Sequence, residues 1–319
     1  MPLGVVVDWG SVNGEQEGLP AGEVDLRDGH VAGSNLATES GRRFRARLIA
    51  YLRACGYPAL DSSPDVAGPA LGAGCDPANP LHLQEAGRAL ARYHQRVRSF
   101  PHRFRAGGRP PLPSLERSGP HTLACFTSAA EAVLGRAERA RLTRANSILW
   151  SQFIRVPENL TAVIPLLGQL VIHGSYGPDT LIYAGDRIAG VAGYHRAAYD
   201  LRALDLGNAL VAFAGPGSGV PAGVAFDLGR CGTLVAGYRE VEALPDHELA
   251  AMPLILRVRS LTGVLAGTTS YLSRHAGTIP SGEEARRLLD AVEREADQVR
   301  WLETGDEELV AALGGSLVA

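Results

Sequence analysis

The polar residues that could do chemistry are concentrated between residues 171 and 213, in the stretch VIHGSYGPDTLIYAGDRIAGVAGYHRAAYDLRALDLGNALVAF. Two short apolar segments, VIHG and TLIY, flank a tight loop that carries Ser175 and Asp179, as expected of strands joined by a turn. His195 and Arg196 follow a second hairpin. This order of elements is typical of a catalytic loop, and the cationic pair is suited to binding an anionic group.

Helical periodicity predicts the elements that must position this loop. Residues 38–55 place Phe44, Leu48 and Leu52 on one stripe, which predicts a helix. The run LQEAGRALARYHQRV, from residue 83, predicts a buried helix directly before the basic segment FPHRFRAGGRPPLP. Further helices are predicted near residues 121–135, 138–154 and 157–169, and the chain after Phe213 is predicted to be mostly helical.

Composition is that of a folded domain in a reducing compartment. The chain has 319 residues, of which 45% are hydrophobic and 20% are charged. No apolar run is long enough to cross a membrane, and the first residues do not have the pattern of a signal peptide. The four cysteines form no C-x-x-C pair, which predicts reduced thiols rather than a zinc site. We therefore expect a cytoplasmic protein.

All 31 basic side chains other than histidine are arginine, and the sequence contains no lysine. A kinase lysine acts on nucleotide phosphates as a compact point charge, whereas the planar guanidinium of arginine requires a different geometry. Composition therefore argues against ordinary nucleotide phosphate binding.

The stretch from 171 to 213 resembles the catalytic segment of the aminoglycoside phosphotransferase and choline kinase family. Members of that family carry His-Gly-Asp, an Asn five residues after that Asp, and an Ile-Asp-Phe-like metal-binding segment. The run LQEAGRALARYH also resembles the family's Leu-Gly-x-x-Leu-Ala-x-x-His pattern. The resemblance covers about residues 82–312. It implies an α+β, two-lobed protein-kinase-like fold, with a reduced β-containing small lobe at 1–80 and a large helical lobe at 81–319.

The residues that do chemistry in the family are replaced in this chain. Aligned letter by letter, Ser175 stands in place of the Asp that orients or deprotonates the substrate hydroxyl. Thr180 and Gly193 stand in place of the Asn and Asp that hold magnesium on the nucleotide phosphates. Asp179 is a candidate substitute, although a Gly-Pro-Asp turn is also typical of a backbone-capping role. No metal site is predicted.

Other letters of the family pattern are present. The resemblance implies that His173 and Asp205 brace the loop through hydrogen bonds, and a buried Asp requires such partners. Tyr176, His195 and Arg196 are the candidate ligand contacts.

These features lead to a first functional hypothesis, a non-catalytic pseudokinase that binds a partner protein or a small anionic ligand without a cofactor. The first alternative is an active phosphotransferase that uses Mg-ATP and relocated catalytic groups to phosphorylate an amino sugar or amino alcohol.

A second alternative is a nucleic-acid-associated protein. Residues 41–118 contain thirteen arginines and five acidic residues, and the segment 96–109 interleaves arginine with aromatic residues. The members of that cluster are Arg96, Arg98, Phe100, Arg103, Phe104, Arg105 and Arg109.

Near the N-terminus, the segment VVVDWGSVN resembles the first phosphate loop of actin-like sugar kinases. No second phosphate loop of that type follows it in the sequence.

Overall fold

The computed structural model describes residues 39–61, 72–101, 112–216, 218–221, 224–276, 278 and 281–315. The predictions made for VVVDWGSVN, and for Arg103, Phe104, Arg105 and Arg109, lie outside the described residues. The extent of the small lobe, residues 1–80, stays a prediction for the same reason.

Ten helices of five residues or more form in the part of the chain that the structure describes. They are α1 (Glu39–Ala54), α2 (Pro80–Val97), α3 (Leu112–Glu131), α4 (Arg136–Val163), α5 (Arg202–Ala214), α6 (Leu228–Arg239), α7 (Asp246–Ala250), α8 (Met252–Arg274), α9 (Gly282–Thr304) and α10 (Asp306–Gly314). Short 3-10 turns occupy Ile164–Leu166, Pro178–Thr180 and Tyr194–Arg196.

Five short strands form two antiparallel sheets. The strands are β1 (Ala73–Gly74), β2 (Gln169–Ile172), β3 (Leu181–Ala184), β4 (Arg187–Val191) and β5 (Ala198–Leu201). β1, β3 and β4 form one sheet in that order, and β2 pairs with β5 from Gln169 opposite Leu201 to Ile172 opposite Ala198. The loop that follows β2 therefore connects one sheet to the other.

Helix α1 forms where the apolar stripe predicted it. Phe44, Leu48 and Leu52 are buried, and Phe44 packs edge-on against Phe100 with ring centroids 6.0 Å apart. After α1 the chain runs beside β4, because the Leu60 amide donates to the Val191 carbonyl at 2.7 Å. This contact fixes α1 against the sheet that follows the loop.

The buried helix predicted from residue 83 is α2. The Asn79 side chain caps it by accepting a hydrogen bond from the Leu81 amide at 3.0 Å, and Pro80 occupies the first turn. Leu90 and Tyr93 are fully buried on its inner face. Helix α2 packs against α6 and β2, so it lies directly beneath the loop.

The prediction of two helices at 138–154 and 157–169 was wrong. A single helix, α4, runs from Arg136 to Val163 and contains Pro157. Proline removes a backbone hydrogen bond inside a helix, but packing can compensate for that loss. Pro157 is buried, and ion pairs to α9 at Arg141 and Arg155 hold the helix before it.

The remaining helices form the large lobe around α8, which is buried along most of its length. None of the four cysteines forms a disulfide. Among the described residues, no helix has both the length and the apolar character required to cross a membrane.

Candidate functional site

Asp205, in the first turn of α5, fixes the loop after β2 through hydrogen bonds to its backbone. Its carboxylate accepts hydrogen bonds from the backbone amides of His173 at 2.8 Å and Gly174 at 2.9 Å. Oδ2 also lies 3.0 Å from Nε2 of His94 on α2, and Nδ1 of His94 lies 2.7 Å from the Tyr238 hydroxyl. One buried carboxylate therefore connects the loop, α2, α5 and α6.

Electrostatics favour the ionised form of this carboxylate. Burial alone would raise the pKa of Asp205, because it penalises the charged form. The hydrogen bond with His94 and the hydrogen bond from the His173 amide outweigh that penalty and hold the pKa of Asp205 below its usual range. We refer to His94, His173, Asp205 and Tyr238 as the bracing set.

His173 is a neutral structural residue in this arrangement. Burial lowers the pKa of His173 to about 4, so the ring is uncharged near neutral pH. Its Nε2 donates to the Ala192 carbonyl at 2.8 Å, which ties the loop to the segment after β4. His173 therefore positions two backbone segments and is not available to a ligand.

The three positions that the resemblance aligns with the family's chemical groups have neutral groups that bond to the protein itself. The Ser175 hydroxyl donates to the Gly193 carbonyl at 2.6 Å. The Thr180 hydroxyl donates to the Gly177 carbonyl at 2.8 Å and accepts from the Gly177 amide at 3.1 Å. We refer to Ser175, Thr180 and Gly193 as the working positions.

The backbone at Gly193 is shaped for glycine. Its φ of +86° lies in the left-handed region, which favours residues without a Cβ. A Cβ built at this position would lie 2.6 Å from Cγ2 of Thr180 and 3.5 Å from Cε1 of His173. A carboxylate at position 193 would therefore require both a strained backbone and a shift of Thr180.

The working positions do not fit a magnesium ion. Mg²⁺ prefers carboxylate oxygens and near-octahedral geometry. Ser175 and Thr180 supply only hydroxyls, and the Gly193 carbonyl already accepts from Ser175. Within the described ranges, no group of three or more His, Cys, Asp or Glu side chains is arranged to hold a metal ion.

The candidate ligand contacts separate into two kinds. For Tyr176 the role of ligand contact stays a prediction that the geometry disfavours, because its ring is buried and its hydroxyl donates to the Ala86 carbonyl at 2.9 Å. His195 is exposed and Arg196 is half-buried in the 3-10 turn after Gly193. Asp179 is exposed in the Pro178–Thr180 turn.

The described part of the basic cluster at 96–109 is largely structural. Phe100 is buried against Phe44 and Tyr51, so its ring is not available to stack on a base. Arg98 pairs with Glu242 at 2.5 Å. These contacts weaken the nucleic-acid alternative as far as this part of the cluster is concerned.

His94 and Tyr238 belong to the bracing set, but neither was predicted from the sequence to be a site residue. His94 is the final letter of the Leu-Gly-x-x-Leu-Ala-x-x-His pattern, which was the available signal. Tyr238 comes from a helix 144 residues later in the chain, and no pattern around it indicated a contact with α2.

Comparison with solved structures identifies the fold. The chain superposes on the amicoumacin kinase hAmiN with a TM-score of 0.55 at 16% identity, covering 82% of this chain and 78% of that one. It superposes on an aminoglycoside phosphotransferase from Alicyclobacillus acidocaldarius with a TM-score of 0.56 at 15% identity, covering 86% and 83%. The chain has the fold of the aminoglycoside phosphotransferase and choline kinase-like family. The predicted α+β, two-lobed kinase-like fold is thus confirmed.

Curated relatives of this kinase-like chain are named as small-molecule kinases. The homoserine kinase of Chelativorans sp. (strain BNC1) is 27% identical over 202 residues, which cover 63% of this chain and 54% of the relative. The homoserine kinase of Rhizobium etli is 27% identical over 209 residues, covering 65% and 58%. The chain thus spans little more than half the length of these relatives. No protein-family model matches the chain.

Proposed function

We propose that this kinase-like chain does not transfer phosphate, and that it binds an anionic ligand at the turn 194–196. The observation that carries the proposal is the set of hydrogen bonds at the working positions. The Ser175 hydroxyl donates its hydrogen bond to the Gly193 carbonyl, and the Thr180 hydroxyl donates to the Gly177 carbonyl. Both hydroxyl donors are thus used within the protein rather than on a substrate or a metal ligand. Phosphoryl transfer relies on a positioned base and on charge neutralisation, and these positions supply neither.

The proposed ligand surface is basic on two adjoining elements. The turn 194–196 carries His195 and Arg196, and α1 packs against this turn. Helix α1 carries Arg42, Arg43, Arg45 and Arg47, while its fifth arginine, Arg53, is already paired with Asp61 at 2.9 Å. A guanidinium offers paired donors to phosphate or carboxylate oxygens, so this surface is suited to a phosphorylated or carboxylated small molecule without a bridging metal.

Thermal-shift titration with ATP, GTP and inorganic phosphate, each with and without Mg²⁺, tests this proposal. A ligand at about 100 times its dissociation constant stabilises the folded state by about 2.7 kcal/mol. We expect stabilisation by at least one of these anions that does not depend on Mg²⁺, and its loss in His195→Ala and Arg196→Ala. The matched control is Arg187→Ala, an exposed arginine on β4. Stabilisation that requires Mg²⁺ and a nucleotide together would contradict the proposal.

The second candidate is an ATP-dependent phosphotransferase that acts on a small alcohol, with Mg²⁺ and relocated catalytic groups. The curated relatives named homoserine kinase favour it, as does the intact bracing set. Asp179 is then the available carboxylate, because it is exposed four residues after Ser175. This candidate predicts that Mg-ATP, but neither ATP nor Mg²⁺ alone, raises the melting temperature, and that Asp179→Ala removes turnover.

A further inference from the structure

A buried cluster of aromatic rings lies directly behind the turn 194–196. Tyr93 of α2 and Tyr194 of the turn pack with ring centroids 6.2 Å apart. Both rings also pack on His173, at 5.9 Å from Tyr93 and 4.7 Å from Tyr194. Tyr93 is 0% exposed and Tyr194 is 2% exposed. The cluster is therefore an interior feature that connects α2 with the turn.

The phenol hydroxyls of this cluster fall into two groups. Tyr57 donates to the Ala89 carbonyl at 3.2 Å, and Tyr176 donates to Ala86 one turn earlier in α2. The hydroxyls of Tyr93 and Tyr194 have no hydrogen-bond partner among the described residues. Buried polar groups in folded proteins nearly always have a partner, either in the protein or in an ordered water.

The two hydroxyls without partners belong to one electrostatic neighbourhood. Burial raises the pKa of Tyr194, and the adjacent phenols of Tyr57 and Tyr93 raise it further. Burial likewise raises the pKa of Tyr93, and the negative charge of Asp205 adds to that effect. An anion placed among these groups would be repelled by Asp205, while a cation would meet phenol oxygens but no free carboxylate. A neutral guest that both donates and accepts hydrogen bonds suits the site.

We propose that the hydroxyls of Tyr93 and Tyr194 hold one internal water between α2 and the turn 194–196. Each phenol can donate one hydrogen bond and accept another, and water does both. The water anchors Tyr194, the first residue of the turn, to α2 from the interior. This inference does not depend on the proposed ligand, because it concerns only the interior side of the turn.

Two conservative substitutions test the proposal, because the direction in which they change the melting temperature depends on whether the water is present. If a water links the hydroxyls, Tyr93→Phe and Tyr194→Phe each remove one of its partners, and each lowers the melting temperature by about 2–4 °C. The melting temperature of the double variant then falls by less than the sum of the two single decreases, because the first substitution has already removed the water's link between the two side chains. If the hydroxyls bond to nothing, each substitution removes a costly buried group and raises the melting temperature, which overturns the proposal.

Tyr176→Phe is the matched control, since its hydroxyl has a protein partner in the same cluster. Tyr176→Phe is expected to lower the melting temperature, and this decrease is expected to add to the decrease caused by Tyr93→Phe. A high-resolution crystal structure of the unaltered chain supplies the second measurement. Density for a water within hydrogen-bond distance of both hydroxyls supports the proposal. A direct bond between the two phenols, with no water, overturns it.

Discussion

The bracing set and the working positions lie within a few residues of each other, yet they are built differently. In the bracing set, one ionised carboxylate, Asp205, accepts from two backbone amides and meets a buried histidine. At the working positions, neutral hydroxyls bond to backbone groups of the same loop system. The first region contains a buried, hydrogen-bonded carboxylate, whereas the second contains no charged side chain.

The groups that hold this loop in place are therefore separate from the groups at the positions where chemistry would be done. Asp205 and His173 act on backbone atoms, so they remain useful whatever ligand the loop meets. Ser175 and Gly193 have become partners of each other, which joins the loop to the segment after β4 without a metal.

Asp205→Ala is expected to be the most damaging single change in this region. It leaves two backbone amides and His94 without their buried acceptor. Removing one partner of a buried pair costs about 3–5 kcal/mol, which urea unfolding can measure. Asp179→Ala is the matched control, because Asp179 is an exposed carboxylate of the same loop system. Equal losses in the two variants would show that Asp205 is not a brace.

The free energy of unfolding is expected to fall as the pH is lowered from about 6.5 to about 4. An unfolded histidine has a pKa near 6.5, whereas burial lowers the pKa of His173 to about 4 in the folded chain. In that window the unfolded state binds a proton that the folded state does not, so up to about 3 kcal/mol is lost.

Urea unfolding at a series of pH values measures this loss. The contribution of His173 is complete above pH 6.5, and His173→Gln should flatten the slope below that value. An unchanged slope in His173→Gln would assign the acid sensitivity to other groups.

Gly193→Asp introduces an aspartate at the position that the resemblance aligns with the family's metal-binding Asp. The substitution is expected to lower the free energy of unfolding. A non-glycine residue in the left-handed region costs about 1–3 kcal/mol, and the new Cβ would also press on Thr180. Gly185→Asp is the control, because Gly185 has a φ of +62° and a Cβ added there would meet nothing within 4 Å. We expect the Gly193 variant to be the less stable of the two and to bind no Mg²⁺. Tight Mg²⁺ binding by Gly193→Asp would mean that the site was lost by one substitution only.

Ser175→Ala is expected to have the smallest effect, about 0.5–1.5 kcal/mol, because it removes one hydrogen bond to the Gly193 carbonyl. Amide hydrogen exchange should rise in the segment 193–196, where the loop is no longer tied to the strand end. Ser147→Ala, at an exposed position on α4, should leave exchange in that segment unchanged. Identical exchange in both variants would remove the proposed link between Ser175 and the turn.

The kinase-like fold and the bracing role of His173 and Asp205 could be predicted from the sequence, because the loop pattern lies within one short segment. His173, Gly174 and Asp205 keep the spacing of the family, and the fold follows that spacing. The continuous helix α4 could not be predicted from the sequence, because proline normally ends a helix, and the packing of α4 against α3, α8 and α9 is visible only in the folded chain. The burial of Tyr176 was also hidden, because its partner is a backbone carbonyl 90 residues away.

A phosphoryl-transfer assay decides between the two candidate functions. The purified chain, incubated with ATP or GTP, Mg²⁺ and homoserine, an amino alcohol or an aminoglycoside, can be followed by transfer of labelled γ-phosphate. We expect no transfer and no hydrolysis above the level of Asp179→Ala. Turnover that depends on Mg²⁺ and disappears in Asp179→Ala would overturn the proposed loss of phosphoryl transfer and establish an active phosphotransferase.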